Sequence, residues 1–453
     1  MNEEKLERGL SEKHVQLIAI GGTIGIGLFL ASGNAIALAG PSLLLSYLLN
    51  GIAVFFILRA LGEVSVENPI AGSFSAYAHK FIGPGAGFVT GWSYWFMWTV
   101  IFMAEITAVG IYCNYWWPEL PQWIPALLSL MCITATNLLN VKLFGEFEFW
   151  FALIKVITII IIIITGLLVI FFGFNHNPVG ISNLFVLKGG FLPFGTSGVL
   201  KALGVSILAF IGIEFVGITA AEAKNPEKTI PSATKKILFT ILLLYIGTLF
   251  VIMCMYPWTK LVKGNGVEQS PFVTTFLGLG IKQAATIINF VVITASLSAC
   301  NSGMFSNGRM LYNLAINKHA PKFLSKVNSN KIPANAIIAS FAVAMIGVIL
   351  NFIMPKNVFI SLTSVIAFLG LWTWGAIIVI QMRSRCNMDT KDILKLKYPM
   401  PFYPYSNYIT FLILVITAVT LIMKNTTRNS FIVGPIWLIL VYSIYKFFVK
   451  EKK

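Results

Sequence analysis

The feature that most constrains this chain is a series of about twelve apolar runs, each long enough to cross a bilayer as a helix. A helix rises 1.5 Å per residue, so about twenty apolar residues span the hydrocarbon core. The connections between the runs are too short to form a soluble domain. The sequence therefore predicts an all-α integral membrane protein with twelve transmembrane helices. We expect them at 15–37, 41–62, 87–114, 122–140, 149–173, 197–221, 234–256, 284–304, 334–354, 358–381, 407–424 and 430–448.

The distribution of charge supports this class and predicts an orientation. Only 11% of the 453 residues are charged, and the net charge of +16 comes from basic residues in short connections rather than from a dense basic tract. This pattern indicates topology signals, and it does not favour a nucleic-acid partner. If the N-terminus is inside, the even-numbered connections and both tails hold about 24 of the 33 lysines and arginines. Both ends are therefore expected in the cytoplasm.

The N-terminal segment 1–14 is polar and precedes an apolar run that ends near Ala37–Gly40. Such a pattern is compatible with a signal peptide, but the run is longer than a typical signal core and more spans follow directly. An uncleaved first helix is the preferred interpretation.

Motifs for metal binding or catalysis are not found. The five cysteines are scattered without a CxxC pair, and the four histidines do not cluster. The chain has no HExxH pair, no GxSxG elbow and no phosphate-binding loop with its lysine. We therefore expect no metal, no organic cofactor, no enzyme activity and no ATP-driven pumping, and the sequence indicates no obligate protein partner.

The first apolar run contains an unusual stretch, "IAIGGTIGIGLFL" at 18–30, in which four glycines fall within seven residues. Each glycine inside a helix costs roughly 1 kcal/mol relative to alanine. A second interrupted stretch, "ILAFIGIEFVGITAAE" at 207–222, lies in the sixth run and contains Gly212 and Gly217. Corresponding interruptions five helices apart indicate an inverted repeat of five helices with discontinuous first and sixth helices.

In such a repeat, the freed N–H groups of a broken helix hold an anion, and the freed carbonyls face a cation. An amino acid zwitterion carries both charges. The repeats would cover 15–173 and 197–381, followed by helices 11 and 12 at 407–448 and a tail at 449–453. Two other interpretations of the glycines are helix packing through small residues and a dinucleotide fingerprint. The latter is rejected because no strand precedes "GGTIGIG".

Long blocks of the chain resemble bacterial amino acid permeases of the amino acid–polyamine–organocation superfamily, in the amino acid transporter family. These blocks are "AGPSLLLSYLLNGIAVFFILRALGEVSVENPIAGSFSAYA" at 39–78, "GEFEFWFALIKV" at 145–156, "GIEFVGITAAEAKNPEKTIP" at 212–231 and "NSGMFSNGRMLYNLA" at 301–315. The resemblance implies proton-coupled amino acid uptake across a bacterial inner membrane on a LeuT-type five-plus-five fold. One departure is Ile26, where the family often has threonine.

Lys155 is a candidate for proton coupling because an ionisable group inside a membrane span is costly. It matches the lysine that related transporters use in place of a sodium ion. The alternative is a lysine whose ammonium reaches the membrane interface. Glu214 and Glu105 are the other coupling candidates, with structural hydrogen bonding between helix segments as the alternative for each. Glu222 more closely fits a loop-tethering residue.

The expected substrate site combines main chain and aromatic walls. Its carboxylate contacts would come from Thr23, Ile24, Gly25, Ile26 and Gly27. Its amine contacts would come from Phe210, Ile211, Gly212, Ile213 and Glu214. Trp98, Phe102 and Phe210 would form walls or gates, and Asn301 and Ser302 would support the region around Lys155. The predicted substrate is neutral, either small (alanine, serine or glycine) or aromatic or proline. An amino acid exchanger and an amino acid-binding membrane sensor are the alternatives.

Overall fold

The computed structural model describes residues 24–68, 73–139, 141–173, 179–214, 226–261, 270–428 and 430–449. Within these residues the secondary structure is helical and no strand occurs. The first half contains α1 (Ile26–Phe29), α2 (Ala31–Ala39), α3 (Leu43–Glu67), α4 (Ser73–Phe81), α5 (Pro84–Cys113), α6 (Trp123–Leu139) and α7 (Val141–Phe172). The second half contains α8 (Gly195–Ser206), α9 (Pro226–Met255), α10 (Pro271–Gly278), α11 (Lys282–Ile316), α12 (Ala334–Ile353), α13 (Val358–Cys386), α14 (Thr390–Ile393), α15 (Tyr405–Met423), α16 (Asn425–Arg428) and α17 (Ser430–Ile444).

Nine helical stretches among the described residues are long and apolar enough to cross a membrane. One of them, Ala31–Glu67, joins α2 to α3 through a 3₁₀ turn and includes parts of the first two predicted runs. Two further apolar helices, Trp123–Leu139 and Gly195–Ala209, are shorter. The prediction of an all-helical membrane protein is therefore confirmed, while the fourth and sixth predicted runs form shorter helices than expected.

Helix α5 lies at the centre of the helix packing. It packs most extensively against α11 and α13, and α11 also packs against α7. Polar side chains join α5 to its neighbours, as in the bond from Asn307 Nδ2 to Thr99 Oγ1 (3.0 Å) and the bond from Asn351 Nδ2 to Thr107 Oγ1 (2.7 Å). Such bonds hold helices together where the surrounding lipid is as apolar as the side chains.

The outward faces of the peripheral helices are apolar. On α7, isoleucines such as Ile161 and Ile164 are exposed, and α15 and α17 expose many leucine, isoleucine and valine side chains. An apolar surface of this extent would aggregate in water but matches the hydrocarbon core of a bilayer.

The α-helix is interrupted in both glycine-rich regions. Residues 24–25 form a bend before α1, and a turn at Leu30 separates α1 from α2. Helix α8 ends at Ser206, and turns occupy residues 210–214 after a short 3₁₀ segment. The side chain of Asn50 on α3 donates to the carbonyl of Leu203 (3.1 Å) near the end of α8. Residues 15–23 and 215–221 of the two predicted runs lie outside the described residues.

A buried ion pair that the sequence did not indicate joins α3 to α13. Arg385 donates from Nε to Glu63 Oε1 (2.7 Å) and from Nη2 to Oε2 (2.5 Å). Gln381 Nε2 also donates to Oε1 (2.7 Å), and the main-chain N–H of Met400 donates to Oε2 (2.5 Å). The ring of Tyr403 lies 4.1 Å from the Arg385 guanidinium carbon. Both oxygens of this carboxylate are fully occupied by donors.

Removing the cation from this pair should destabilise the protein, because a buried carboxylate would lose its charged partner. For Arg385→Gln we expect a loss of about 3–5 kcal/mol in unfolding free energy. The measurement is the thermal melting midpoint in detergent. The matched control is Arg383→Gln, an exposed arginine two residues earlier on the same helix, which should melt like the wild type. Equal midpoints for both variants would contradict the structural role.

Candidate functional site

A small cavity lies between the two interrupted segments and the central helix α5. Its volume is about 30 Å³, which is room for about one water molecule. An amino acid cannot fit unless the segments that form its walls move apart. The lining residues are Gly25, Ile26, Gly27, Trp98, Ile101, Glu105, Leu208, Ile211 and Ile366.

Two positions in the first segment require glycine, each because a different neighbour would clash with a side chain. A Cβ on Gly25 would lie 2.3 Å from Oε1 of Glu105. A Cβ on Gly27 would lie 2.6 Å from the main-chain N and Cα of Ala209. Gly25 therefore makes room for a carboxylate, and Gly27 allows the two interrupted segments to touch through their backbones. Gly21 and Gly22 lie outside the described residues.

The carboxylate of Glu105 is bound by main chain of the first segment. Its Oε1 accepts a hydrogen bond from the N–H of Ile26 (3.1 Å), and the residue is buried. Ile26 is the first residue of α1, so its N–H has no acceptor in the preceding turn of helix. The carboxyl group of a side chain thus already lies where the sequence predicted that a substrate carboxylate would bind.

The ammonium of Lys155 is bound by the same segment. Lys155 lies in the middle of α7, and its side chain is 0% exposed. Its Nζ donates to the carbonyl of Ile24 (3.2 Å) and to Ser298 Oγ on α11 (2.9 Å). Its charged neighbours are the carboxylates of Glu148 and Glu105.

The turn in the second segment is closed by Glu214. Oε2 of Glu214 accepts from the N–H of Gly212 (3.1 Å) and from Nε1 of Trp374 on α13 (3.2 Å). Gly212 has a φ of 102°, a region that side-chain-bearing residues rarely adopt. The carboxylate therefore stabilises the turn and links it to α13. This contact corresponds to the structural hydrogen bond that the sequence analysis gave as the alternative to a coupling role for Glu214.

The aromatic residues predicted as walls lie in different surroundings. Trp98 lines the cavity, as does Ile211. Phe102 lies in a separate apolar cluster with residues of α6, α11 and α12. The Phe210 ring lies 5.7 Å from each of the rings of Tyr47 and Tyr245, which join α3 and α9 beside the second segment.

The remaining predicted residues are placed as follows. Ile213 is buried, and its N–H donates to the carbonyl of Phe210 (3.2 Å) within the turn. Asn301 and Ser302 are buried on α11 and face the carboxylate of Glu148. Thr23 and Glu222 lie outside the described residues.

Sequence analysis missed Glu148 and Ser298. Glu148 is 0% exposed, and its Oε1 accepts from Ser298 Oγ (2.7 Å). It precedes Lys155 by seven residues, a spacing that places two side chains on the same helix face two turns apart. That spacing was a usable signal, whereas nothing in the sequence connected Ser298 to either residue.

Comparison with known proteins identifies relatives along nearly the whole chain. The family model "Amino acid permease" matches residues 14–453. Three proteins of Bacillus subtilis (strain 168) are each 46% identical to this chain. They are "Uncharacterized amino acid permease YtnA" (98% of this chain and 95% of that protein), "Amino-acid permease AapA" (98% and 95%) and "Probable threonine/serine transporter YbxG" (99% and 96%).

The contact between the two segments predicts a sharp difference between two glycine substitutions. Gly27→Ala should destabilise the protein by about 1–3 kcal/mol and abolish substrate uptake, because the backbone of Ala209 blocks the new Cβ. The measurements are melting in detergent and uptake in cells. The control is Gly247→Ala in helix α9. The added Cβ would lie 3.4 Å from the Ile163 side chain, which is an ordinary van der Waals contact. Wild-type uptake by the Gly27→Ala variant would contradict the described contact.

Proposed function

We propose that this chain, which belongs to the amino acid permease family, imports a neutral amino acid together with a proton by alternating access. Membership of the family and the apolar helices support transport across a membrane. The finer proposal places twelve spans in the membrane as two inverted repeats of LeuT type, 15–173 and 197–381, plus two further helices. Both termini would lie in the cytoplasm of a bacterial cell, as the distribution of lysine and arginine predicts.

The observation that carries the proposal is the hydrogen bond from the Ile26 N–H to the Glu105 carboxylate (3.1 Å). A free main-chain N–H in the membrane interior binds a carboxylate, and a substrate amino acid carries the same group. Substrate binding at this N–H requires the Glu105 carboxylate to leave it. Protonation weakens the attachment of Glu105, because a neutral carboxyl group is a poorer acceptor than a carboxylate. Proton binding and substrate binding thereby become linked.

The charge of the buried cluster supports a single proton as the coupling ion. Glu105 and Glu148 are the charged neighbours of Lys155, and all three side chains are buried. When all are ionised, two negative charges and one positive charge leave a net charge of −1. Burying uncompensated charge is costly, and one added proton makes the cluster neutral.

The cavity lining favours a neutral substrate. Apart from Glu105, the lining side chains are apolar, with Trp98, Ile101, Leu208 and Ile211 among them. Among the described lining residues, Glu105 is the charged one. The relative described as a threonine/serine transporter supports small neutral amino acids such as serine, threonine and alanine over aromatic amino acids or proline.

Transport requires the closed cavity to open to each side in turn. The four helices expected to rock as a bundle are spans 1, 2, 6 and 7, which correspond in the described residues to α1–α2, α3, α8 and α9. The contact of Gly27 with Ala209 joins spans 1 and 6 within this bundle. The cavity lies between the bundle and the scaffold helix α5, so a relative movement of the two opens it.

A proton-coupled importer differs from an exchanger in its response to an imposed pH gradient. In proteoliposomes with an acidic outside and no internal amino acid, we expect uptake of labelled serine well above the level at equal pH. All other amino acids serve as cold competitors to define the substrate. Uptake that ignores the gradient but needs internal amino acid would identify an exchanger. Binding without accumulation would identify a sensor.

The role of Glu105 gives a second prediction. Wild-type uptake should rise as the external pH falls, because protonation releases the carboxyl group from the Ile26 N–H. Glu105→Gln keeps an acceptor oxygen but has no site for the proton, so its uptake should lose this pH dependence while counterflow at equal pH remains. The control is Glu119→Gln, an exposed glutamate just after α5. A wild-type pH profile in Glu105→Gln would exclude the proposed role.

A further inference from the structure

A continuous hydrogen-bonded chain leads away from Lys155 on α7. Nζ of Lys155 donates to Ser298 Oγ (2.9 Å), and the hydroxyl of Ser298 donates in turn to Glu148 Oε1 (2.7 Å). All three side chains are 0% exposed. Every donor in this chain points from the ammonium toward the carboxylate, which is the arrangement that a proton transfer in that direction needs.

Resting on the symport proposed above, we infer that Glu148 accepts the transported proton from Lys155 through the hydroxyl of Ser298. In this step an N–H bond of the ammonium breaks and its proton forms a new O–H bond on Ser298. The original hydroxyl proton of Ser298 moves to Oε1 of Glu148. The products are a neutral amine, an unchanged serine and a carboxylic acid. A protonated Glu105 then restores the ammonium, so one proton has moved from Glu105 to Glu148 without adding charge to the interior.

Among the described residues, Glu148 lacks the charged hydrogen-bond donor that stabilises a structural carboxylate of the same protein. The oxygens of Glu63 accept four hydrogen bonds, two of them from the guanidinium of Arg385. In contrast, Oε1 of Glu148 accepts from the hydroxyl of Ser298, and the neutral side chains of Asn301 and Ser302 also face the carboxylate. A buried carboxylate whose donors are neutral groups is costly in a membrane interior. A proton relieves that cost, so Glu148 is suited to accept one.

The surroundings of Glu148 provide polar groups on the side away from Lys155. The side chains of Asn301 and Ser302 on α11 face this carboxylate. One turn further along α11, Ser306 is half-buried. Polar groups therefore continue from Glu148 toward more exposed positions.

The direction of this path matches import. Seven residues of helix separate Glu148 from Lys155, which is about 10 Å along α7. Glu148 lies nearer the N-terminal end of α7, and the proposed topology places that end at the cytoplasmic face. The proton would thus move from Lys155 toward the cytoplasmic face. Among the described residues, the titratable groups close to Glu148 are the ammonium of Lys155 and the thiol of Cys300 on α11.

A purely structural role would make Glu148 a fixed counter-ion of Lys155, and the following experiment separates the two roles. The full-length protein is reconstituted in proteoliposomes that contain a pH-sensitive dye, and a mixture of all neutral amino acids is added outside. One readout is proton influx, and the other is counterflow of a tritiated sample of the same mixture at equal pH. The variants are Glu148→Gln, Ser298→Ala and Ser298→Thr. The matched control is Glu146→Gln, an exposed glutamate two residues away on α7.

We expect Glu148→Gln and Ser298→Ala to lose proton influx by at least about tenfold while their counterflow stays close to that of the wild type. Ser298→Thr restores the bridging hydroxyl and should restore proton influx, and Glu146→Gln should behave as the wild type. Wild-type proton influx in Glu148→Gln would overturn the relay alone. Loss of counterflow in the same proportion as proton influx would show a structural role and also overturn it. Absence of proton influx in the wild type would overturn the proposed symport itself.

Discussion

Main chain that leaves a helix inside an apolar protein must find partners for its N–H and C=O groups, and the rest of this structure is arranged around that requirement. Lipid offers no hydrogen bonds, so each unsatisfied group would cost several kcal/mol. In the first segment, Glu105 accepts from the N–H of Ile26, and Lys155 donates to the carbonyl of Ile24. In the second segment, Glu214 closes the turn. Ionisable side chains thus stabilise both interruptions, from other helices in the first segment and from within the turn in the second.

The same arrangement gives a physical basis for the proposed coupling of proton and substrate. A neutral side chain could form the same hydrogen bonds to the main chain, but the strength of those bonds would not depend on protonation. A carboxylate on the Ile26 N–H can be released by one proton, and the released N–H can then bind the carboxylate of a substrate. Lys155 donates to the same segment and also lies at the start of the hydrogen-bonded chain to Glu148. In the proposed mechanism, movement of the segment and movement of the proton therefore involve the same few atoms.

Sequence reasoning could predict the features that follow from local patterns. The apolar runs predicted helices, the glycines predicted interruptions near 24–27 and 210–214, and the cost of buried charge selected Lys155, Glu105 and Glu214. Sequence reasoning could not decide what each glycine contacts, because these contacts are made between segments that are far apart in the chain. Gly27 makes room for the backbone of Ala209, and this contact is visible only once the two segments are packed together.

The features that were missed are long-range pairings. Glu63 and Arg385 are more than 300 residues apart, and a glutamate near the end of an apolar run resembles any interfacial charge until its partner is known. Ser298 is one of many small polar residues on α11, and its position between a lysine and a glutamate arises from the packing of α7 against α11. In contrast, the seven-residue spacing of Glu148 and Lys155 is visible in the sequence and could have indicated that both side chains lie on the same face of α7.

The most direct test is an experimental structure of the protein with a bound neutral amino acid. We expect the substrate carboxylate within hydrogen-bond distance of the main-chain N–H groups of residues 24–27, its amine near the turn at 210–214, and the Glu105 carboxyl group displaced from Ile26. A substrate bound elsewhere while Glu105 still accepts from Ile26, or an unbroken α-helix through both segments, would contradict this mechanism.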